Sequence, residues 1–243
     1  MKILFSGLVS FLFFLFSPFF SFSQTAADTW SVKFSTGIRV RYTPHINALT
    51  SKGWEYSNGI ITHGMEKVFN AVPDSVAYRN YIKTYVDAYV NASGVISQAI
   101  VSLDKAHPGI SCLFLYEKLG TAKYQTAAAT TRNIFVGGSS TYPKTAIGNI
   151  FWHKNNGSYN DIILIDGVYM LHPFLAKYGS MFGDNAAIDT AVNQTLFIYN
   201  QLYDPARHLI RHAWNPTKTQ AWADPVTGNS SEVWSKGMGW FTM

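Results

Sequence analysis

The 243-residue sequence has a formal net charge of +5, 16% aromatic residues and a single cysteine, Cys112. One cysteine excludes an intrachain disulfide, and basic residues this scattered form no stripe for nucleic acid. Seven Trp and fourteen Tyr are many for an ordinary domain. Such rings serve as stacking platforms in sugar-binding clefts and, equally, as filling for a large core.

Lys2, the apolar run over residues 3–20 and then Ser21-Phe22-Ser23 read as a secretory signal peptide, residues 1–23, cleaved before Gln24. The alternative is a membrane anchor. Pro18, the short basic flank and the small residues at the cleavage position favour removal. No second apolar run of spanning length follows, so the expected product is exported, periplasmic or extracellular, with no stable membrane insertion. Cys112, in an apolar run, reads as a small buried hydrophobe. The Asn-x-Ser/Thr sites at Asn91, Asn156, Asn193 and Asn229 matter only if the source glycosylates them.

Residues 24–58 hold little periodicity and read as an arm and a loop. Ile61, Met65, Val68 and Val72 then recur at helical spacing, and Pro73-Asp74 stops that helix and caps the next. Tyr78, Ile82, Tyr85, Tyr89 and Val90 mark one face of the second helix, with Gly94 as its C-terminal stop. A third helix follows His107-Pro108-Gly109 and carries Ile110, Leu113, Phe114 and Leu115; Thr121 caps a fourth with a narrower face of Tyr124, Ala127, Ala128, Thr131, Ile134 and Phe135. Gly137-Gly138-Ser139-Ser140 opens a long polar loop. Residues 168–178 predict a fifth helix, with Pro173 tolerated near its start or at a kink. Asp184 caps a sixth, whose buried side is read as Ile188, Ala191, Val192, Thr195, Leu196 and Tyr199. A loop rich in Trp, His and Pro reaches Ser231, and one more helix begins at Trp234.

The pattern is a string of helical hairpins, all-α, in which the odd helices follow long loops and the even ones follow tight turns. Such a string stacks as a solenoid or closes into an α/α toroid, with the long loops gathered at one mouth. Asp104 and Asp166 each precede an odd helix, so both architectures bring them to the same end as a candidate acid-base pair. Asp166 lies between two apolar stretches, and burial there raises a carboxyl pKa towards that of a proton donor. It also reads as a helix N-cap, for which Asp is favoured.

Several motifs in order resemble the unsaturated rhamnogalacturonyl hydrolases of glycoside hydrolase family 105 and their family 88 cousins, the unsaturated glucuronyl hydrolases. They are Trp30-Ser31-Val32-Lys33, Trp54-Glu55-Tyr56, Leu103-Asp104, Phe151-Trp152-His153-Lys154, Asp166-Gly167-Val168-Tyr169-Met170, His212-Ala213-Trp214, Trp222-Ala223-Asp224-Pro225 and Trp234-Ser235-Lys236-Gly237-Met238-Gly239-Trp240. The resemblance implies an (α/α)6 barrel, no metal and no other cofactor, and an oligosaccharide substrate ending in a 4,5-unsaturated uronate. It implies that Asp166 protonates C4 of the enol ether and water adds at C5, with Asp104 as second carboxylate. Tyr56, His153, Lys154, His212, Trp222 and Lys236 then shape the sugar site, and Lys154 and Lys236 are candidate partners of the uronate carboxylate. Asp104 is expected to raise the Asp166 pKa further by its charge.

The sequence departs from that pattern at Leu164, where Trp is usual, and at Lys236, where Arg is usual. Asn155-Asn156-Gly157 reads as a small insertion beside the site. Twelve helices require a longer chain, so residues 24–243 are expected to form the front portion of one catalytic domain, with exposed apolar faces and poor solubility. Activity on glycosaminoglycan-type glucuronyl oligosaccharides, or sugar binding without turnover, are the alternative functions.

Overall fold

A computed structural model describes residues 29–72, 75–138 and 140–243. The expected signal peptide and the Pro73-Asp74 stop lie outside the described residues. The helices are α1 (Trp30–Arg41), α2 (Asn47–Thr50), α3 (Tyr56–Ala71), α4 (Val76–Asp87), α5 (Gly109–Leu119), α6 (Ala122–Phe135), α7 (Gly167–Phe182), α8 (Asn185–Leu202) and α9 (Ser235–Thr242). Among the described residues, no helix is long and apolar enough to cross a membrane.

Helices α3 and α4, α5 and α6, and α7 and α8 pair as consecutive hairpins. The alternate helices α3, α5 and α7 also pack in sequence, α3 on α5 and α5 on α7, which makes them one layer and their partners a second. This is the layering of an α/α barrel, and it follows from where the apolar side chains fall. Helix α5 buries Ile110, Cys112, Leu113, Phe114 and Leu115 on several sides, as a helix enclosed by neighbours must. Helix α6 buries only one stripe, Tyr124, Ala127, Ala128, Thr131 and Phe135. Burial pushes the Cys112 thiol up to about 12, so it packs as an inert hydrophobe.

The arm expected over residues 24–58 is instead largely helical in its described part. Thr29 accepts a hydrogen bond from the Val32 N–H to start α1, which buries only Ser35 and Ile38 and therefore carries little of the periodic signal that marks a helix. It is tied to α4 by the Thr36 and Tyr78 hydroxyls, 2.7 Å apart. Helix α4 ends at Asp87, short of the expected stop at Gly94. There the Asn91 side-chain oxygen accepts from the Ser93 and Val95 N–H groups, a local turn that competes with the helix, and Gly94 supplies its positive φ of 81°.

Thr121 takes the cap position of α6 without a side-chain bond, whereas Asp184 does cap α8 through the Ala187 N–H. Pro173 sits inside α7, which runs on to Phe182. The buried stripe of α8 is rotated from the one expected. Ala187, Ala191, Gln194, Ile198 and Leu202 are buried, whereas Val192, Leu196 and Tyr199 are exposed. Val192 and Leu196 line an open apolar groove of about 340 Å³ with Val168, Pro173 and Trp240. Two-residue strands β1 (Ile163–Leu164), β2 (Tyr203–Asp204), β3 (Leu209–Ile210) and β4 (Ala213–Trp214) pair antiparallel, β1 with β4 and β2 with β3.

Phe174 of α7 is fully buried in the main core. Truncation to Ala removes both its transfer free energy and its packing, so Phe174→Ala is expected to cost about 3–5 kcal/mol in chemical denaturation. A cost below about 1 kcal/mol is incompatible with a close-packed interface at that ring.

Candidate active site

Four segments converge at the N-terminal end of α7. Residues 103–105 form a 3-10 turn ahead of α5, and residues 151–155 run alongside it. The Leu103 N–H donates to the His153 carbonyl at 3.0 Å, and the Asn155 N–H donates to the Val101 carbonyl at 2.8 Å. The His153 N–H donates to the Ile162 carbonyl at 2.8 Å, tying the same segment to the approach to β1. Strand β1 then pairs with β4, and the Ile165 N–H reaches the His212 carbonyl at 3.1 Å, which sets His212 beside Asp166. Gly167 makes the convergence possible. A Cβ there would lie 2.7 Å from the Leu103 side chain.

His153 and Asp104 are both buried, each 4% exposed. The His153 Nε2 lies 3.3 Å from Asp104 Oδ1, and the Lys154 ammonium lies 3.1 Å from Asp104 Oδ2. Burial alone would raise the Asp104 pKa, but the His153 hydrogen bond and charge, together with the Lys154 ammonium, outweigh it and hold the carboxyl below its usual range. Asp104 is therefore an anion at neutral pH.

Asp166 moves the other way. It is 7% exposed and its Oδ2 has no hydrogen-bond partner among the described residues. Burial raises its pKa, and the opposing fields of His153, His212 and Lys236 do not cancel the rise. The charge of Asp104, expected to contribute, is not among the main causes. Nor is the side chain used for capping. Asp166 occupies the N-cap position of α7 in helical conformation (φ −53°, ψ −34°) and its carboxyl makes no cap bond, while its carbonyl accepts from the Tyr169 and Met170 N–H groups.

The other predicted residues spread outward from this pair. Tyr56, the first residue of α3, meets Trp240 edge-on at 6.2 Å, and Trp240 stacks on Tyr169 at 5.4 Å, giving a ring surface beside Asp166. His212 is half-buried against Trp234, with centroids 4.5 Å apart, and burial lowers its pKa despite the nearby Asp166 charge. Lys236 is exposed, its ammonium 5.2 Å from the Trp234 ring. Leu164 is half-buried in β1. Trp222 lines a polar pocket with Arg211, Asp224, Thr227 and Asn229.

Glu55 is a third carboxylate, absent from the residues expected at the site. Burial raises its pKa, the Asp104 charge adds to the rise, and Lys105 stands 3.8 Å from it. Its place between Trp54 and Tyr56 at a helix start is the signal that marks it in the sequence.

The opposite shifts have opposite consequences for stability. The folded-state pKa of Asp104 is lowered, so its contribution is present above about pH 3.9, the ordinary Asp value, and is lost as pH falls through the folded value. The folded-state pKa of Asp166 is raised, so it destabilises the fold once pH exceeds that raised value and is neutral below the ordinary one. Melting curves at neutral pH are expected to show Asp104→Asn less stable and Asp166→Asn more stable than the parent, with both differences shrinking in acid.

A family model described as Glycosyl Hydrolase Family 88 matches residues 30–243. A solved family 105 glycoside hydrolase from C. acetobutylicum superposes with a TM-score of 0.76 at 28% identity, over 88% of this chain and 57% of that one. An unsaturated glucuronyl hydrolase from Streptococcus agalactiae shares the fold with a TM-score of 0.54 at 18% identity, over 76% of this chain and 46% of that one. The 24.9 kDa protein in picA locus of Rhizobium radiobacter is 31% identical over 71 residues, 29% of this chain and 30% of that protein. The chain thus spans little more than half of the clostridial structure, whose fold is an α/α barrel, and less than a third of this curated relative. On the extent of the family match, the chain belongs to glycosyl hydrolase family 88.

Proposed function

We propose that this protein is a glycoside hydrolase that hydrates the 4,5-double bond of a terminal unsaturated uronate, with Asp166 as its general acid and base. The observation that carries the reading is the pair of carboxyls at one mouth whose surroundings push them apart, Asp104 towards the anion and Asp166 towards the acid. Asp166 gives its proton to C4 of the enol ether, and positive charge develops at C5, shared with the ring oxygen. Water adds at C5, losing its proton to the Asp166 carboxylate, and the resulting hemiketal opens and frees the neighbouring sugar. Asp104, anionic and fixed by His153 and Lys154, accepts hydrogen bonds from sugar hydroxyls. The Tyr56, Trp240 and Tyr169 rings supply the apolar floor.

As substrate we favour the unsaturated rhamnogalacturonan disaccharide that a polysaccharide lyase leaves from pectin. Support comes from the closer superposition on the family 105 structure than on the unsaturated glucuronyl hydrolase. Turnover removes the conjugated double bond, so ultraviolet absorbance of a lyase-generated disaccharide falls as it is consumed. Asp166→Asn is expected to lower that rate about 10²–10⁴-fold, the usual worth of a positioned general acid, while leaving disaccharide binding measurable by calorimetry. Binding with no absorbance change in the parent protein would replace the hydrolase reading with a carbohydrate-binding one, and an unchanged rate in Asp166→Asn would remove Asp166 as the donor.

A further inference from the structure

The sequence contains two Asn-Gly pairs that the fold treats oppositely, Asn58-Gly59 and Asn156-Gly157. Asn58-Gly59 lies in the first turn of α3, with Asn58 fully buried. Its amide nitrogen donates to the Gly53 carbonyl at 2.8 Å and to Asn47 Oδ1 at 3.3 Å, and its oxygen accepts from the Thr50 hydroxyl at 2.6 Å. The Gly59 N–H donates to the Glu55 carbonyl at 3.1 Å. Every group that could react is held.

Asn156-Gly157 is exposed, at the entrance to the 3-10 turn Gly157–Tyr159. The Asn156 side chain makes no capping bond, and among the described residues the Gly157 N–H has no backbone acceptor. No atom stands within 4 Å of the place a Cβ on Gly157 would occupy. The backbone of Asn156 is extended (φ −149°, ψ 151°), and the rotation that brings the Gly157 nitrogen onto the Asn156 amide breaks no side-chain capping bond and one main-chain bond, from the Tyr159 N–H to the Asn156 carbonyl at 2.8 Å. The same rotation at Asn58 would break the three amide bonds above and the start of a helix.

We infer that Asn156 is a site of spontaneous covalent modification, where the Gly157 backbone nitrogen attacks the amide carbon Cγ of Asn156 because the fold engages neither the Asn156 side chain in a cap nor the Gly157 N–H in a backbone hydrogen bond. The new bond from that nitrogen to Cγ closes a five-membered imide, the bond from Cγ to Nδ2 breaks, and ammonia leaves with the proton lost by the attacking nitrogen. Water then opens the ring at either carbonyl, leaving aspartate or isoaspartate at position 156. One water is consumed and one ammonia released, with no change of oxidation state. The product sets a carboxylate two residues from Lys154, whose ammonium faces Asp104. If Lys154 also meets the uronate, as the proposed function has it, the modification adds a competing anion at that cation.

The folded protein is incubated at mildly alkaline pH and digested, and the peptides are sequenced by mass spectrometry with an isoaspartate-specific readout. The expected result is conversion at Asn156 with Asn58 intact, and conversion of both at similar rates in denaturant. Asn156 converting no faster than Asn58 in the folded protein would overturn the inference. Gly157→Ala meets no steric neighbour, so it should leave the melt unchanged while slowing conversion at 156 about tenfold, because the added methyl group crowds the attacking nitrogen and narrows its conformational range. An undiminished rate in that variant would equally refute the route. Neither readout depends on catalysis, so its outcome is separate from that of the hydrolase proposal.

Discussion

One buried imidazole holds the candidate site in register. His153 commits its main-chain groups to two different segments, donating to the Ile162 carbonyl and accepting from the Leu103 N–H, so its ring position is fixed from both sides. Its Nε2 faces Asp104, and its charge also acts on Asp166. The same ring therefore helps one acid to ionise outright and only tempers the desolvation of the other. That asymmetry requires close approach of backbones, which Gly167 permits against the Leu103 side chain.

The layering of the helices makes this arrangement possible at low conformational cost. Helices α3, α5 and α7 present the same ends to the long loops, and those loops need only short bridges to be held: two-residue strands and single main-chain pairings. The interior beneath them is a hydrophobic body that includes Trp54, Tyr85, Phe114 and Phe174. A rigid base of this kind lets irregular backbone carry polar side chains at fixed spacing, which loops on a soft support could not do.

Much of this is legible in the sequence alone. Helices with a strong apolar stripe, such as α3 through Met65 and Val68, announce themselves. Helix α1 does not, because it buries two residues of twelve and its exposed Trp30 and Phe34 blur the pattern. The stripe of α8 is misread because both sides of that helix are apolar, and only the packing against α7 decides which is covered. At the site, the upward shift of Asp166 can be read from its apolar neighbours in sequence. The downward shift of Asp104 cannot, since it depends on His153 and Lys154 in a segment far along the sequence, and a similar separation hides the tension between Asp104 and Glu55.

Gln194 ties helix α8 to the loop that carries the site. From the outer helix α8 it reaches inward, accepting from the Phe151 N–H at 3.1 Å and donating to the Asn149 carbonyl at 2.7 Å. Phe151 is two residues before His153. A strut on α8 thus sets the height of the backbone that bears the central imidazole, so drift of that helix is transmitted to the candidate site through a single side-chain amide.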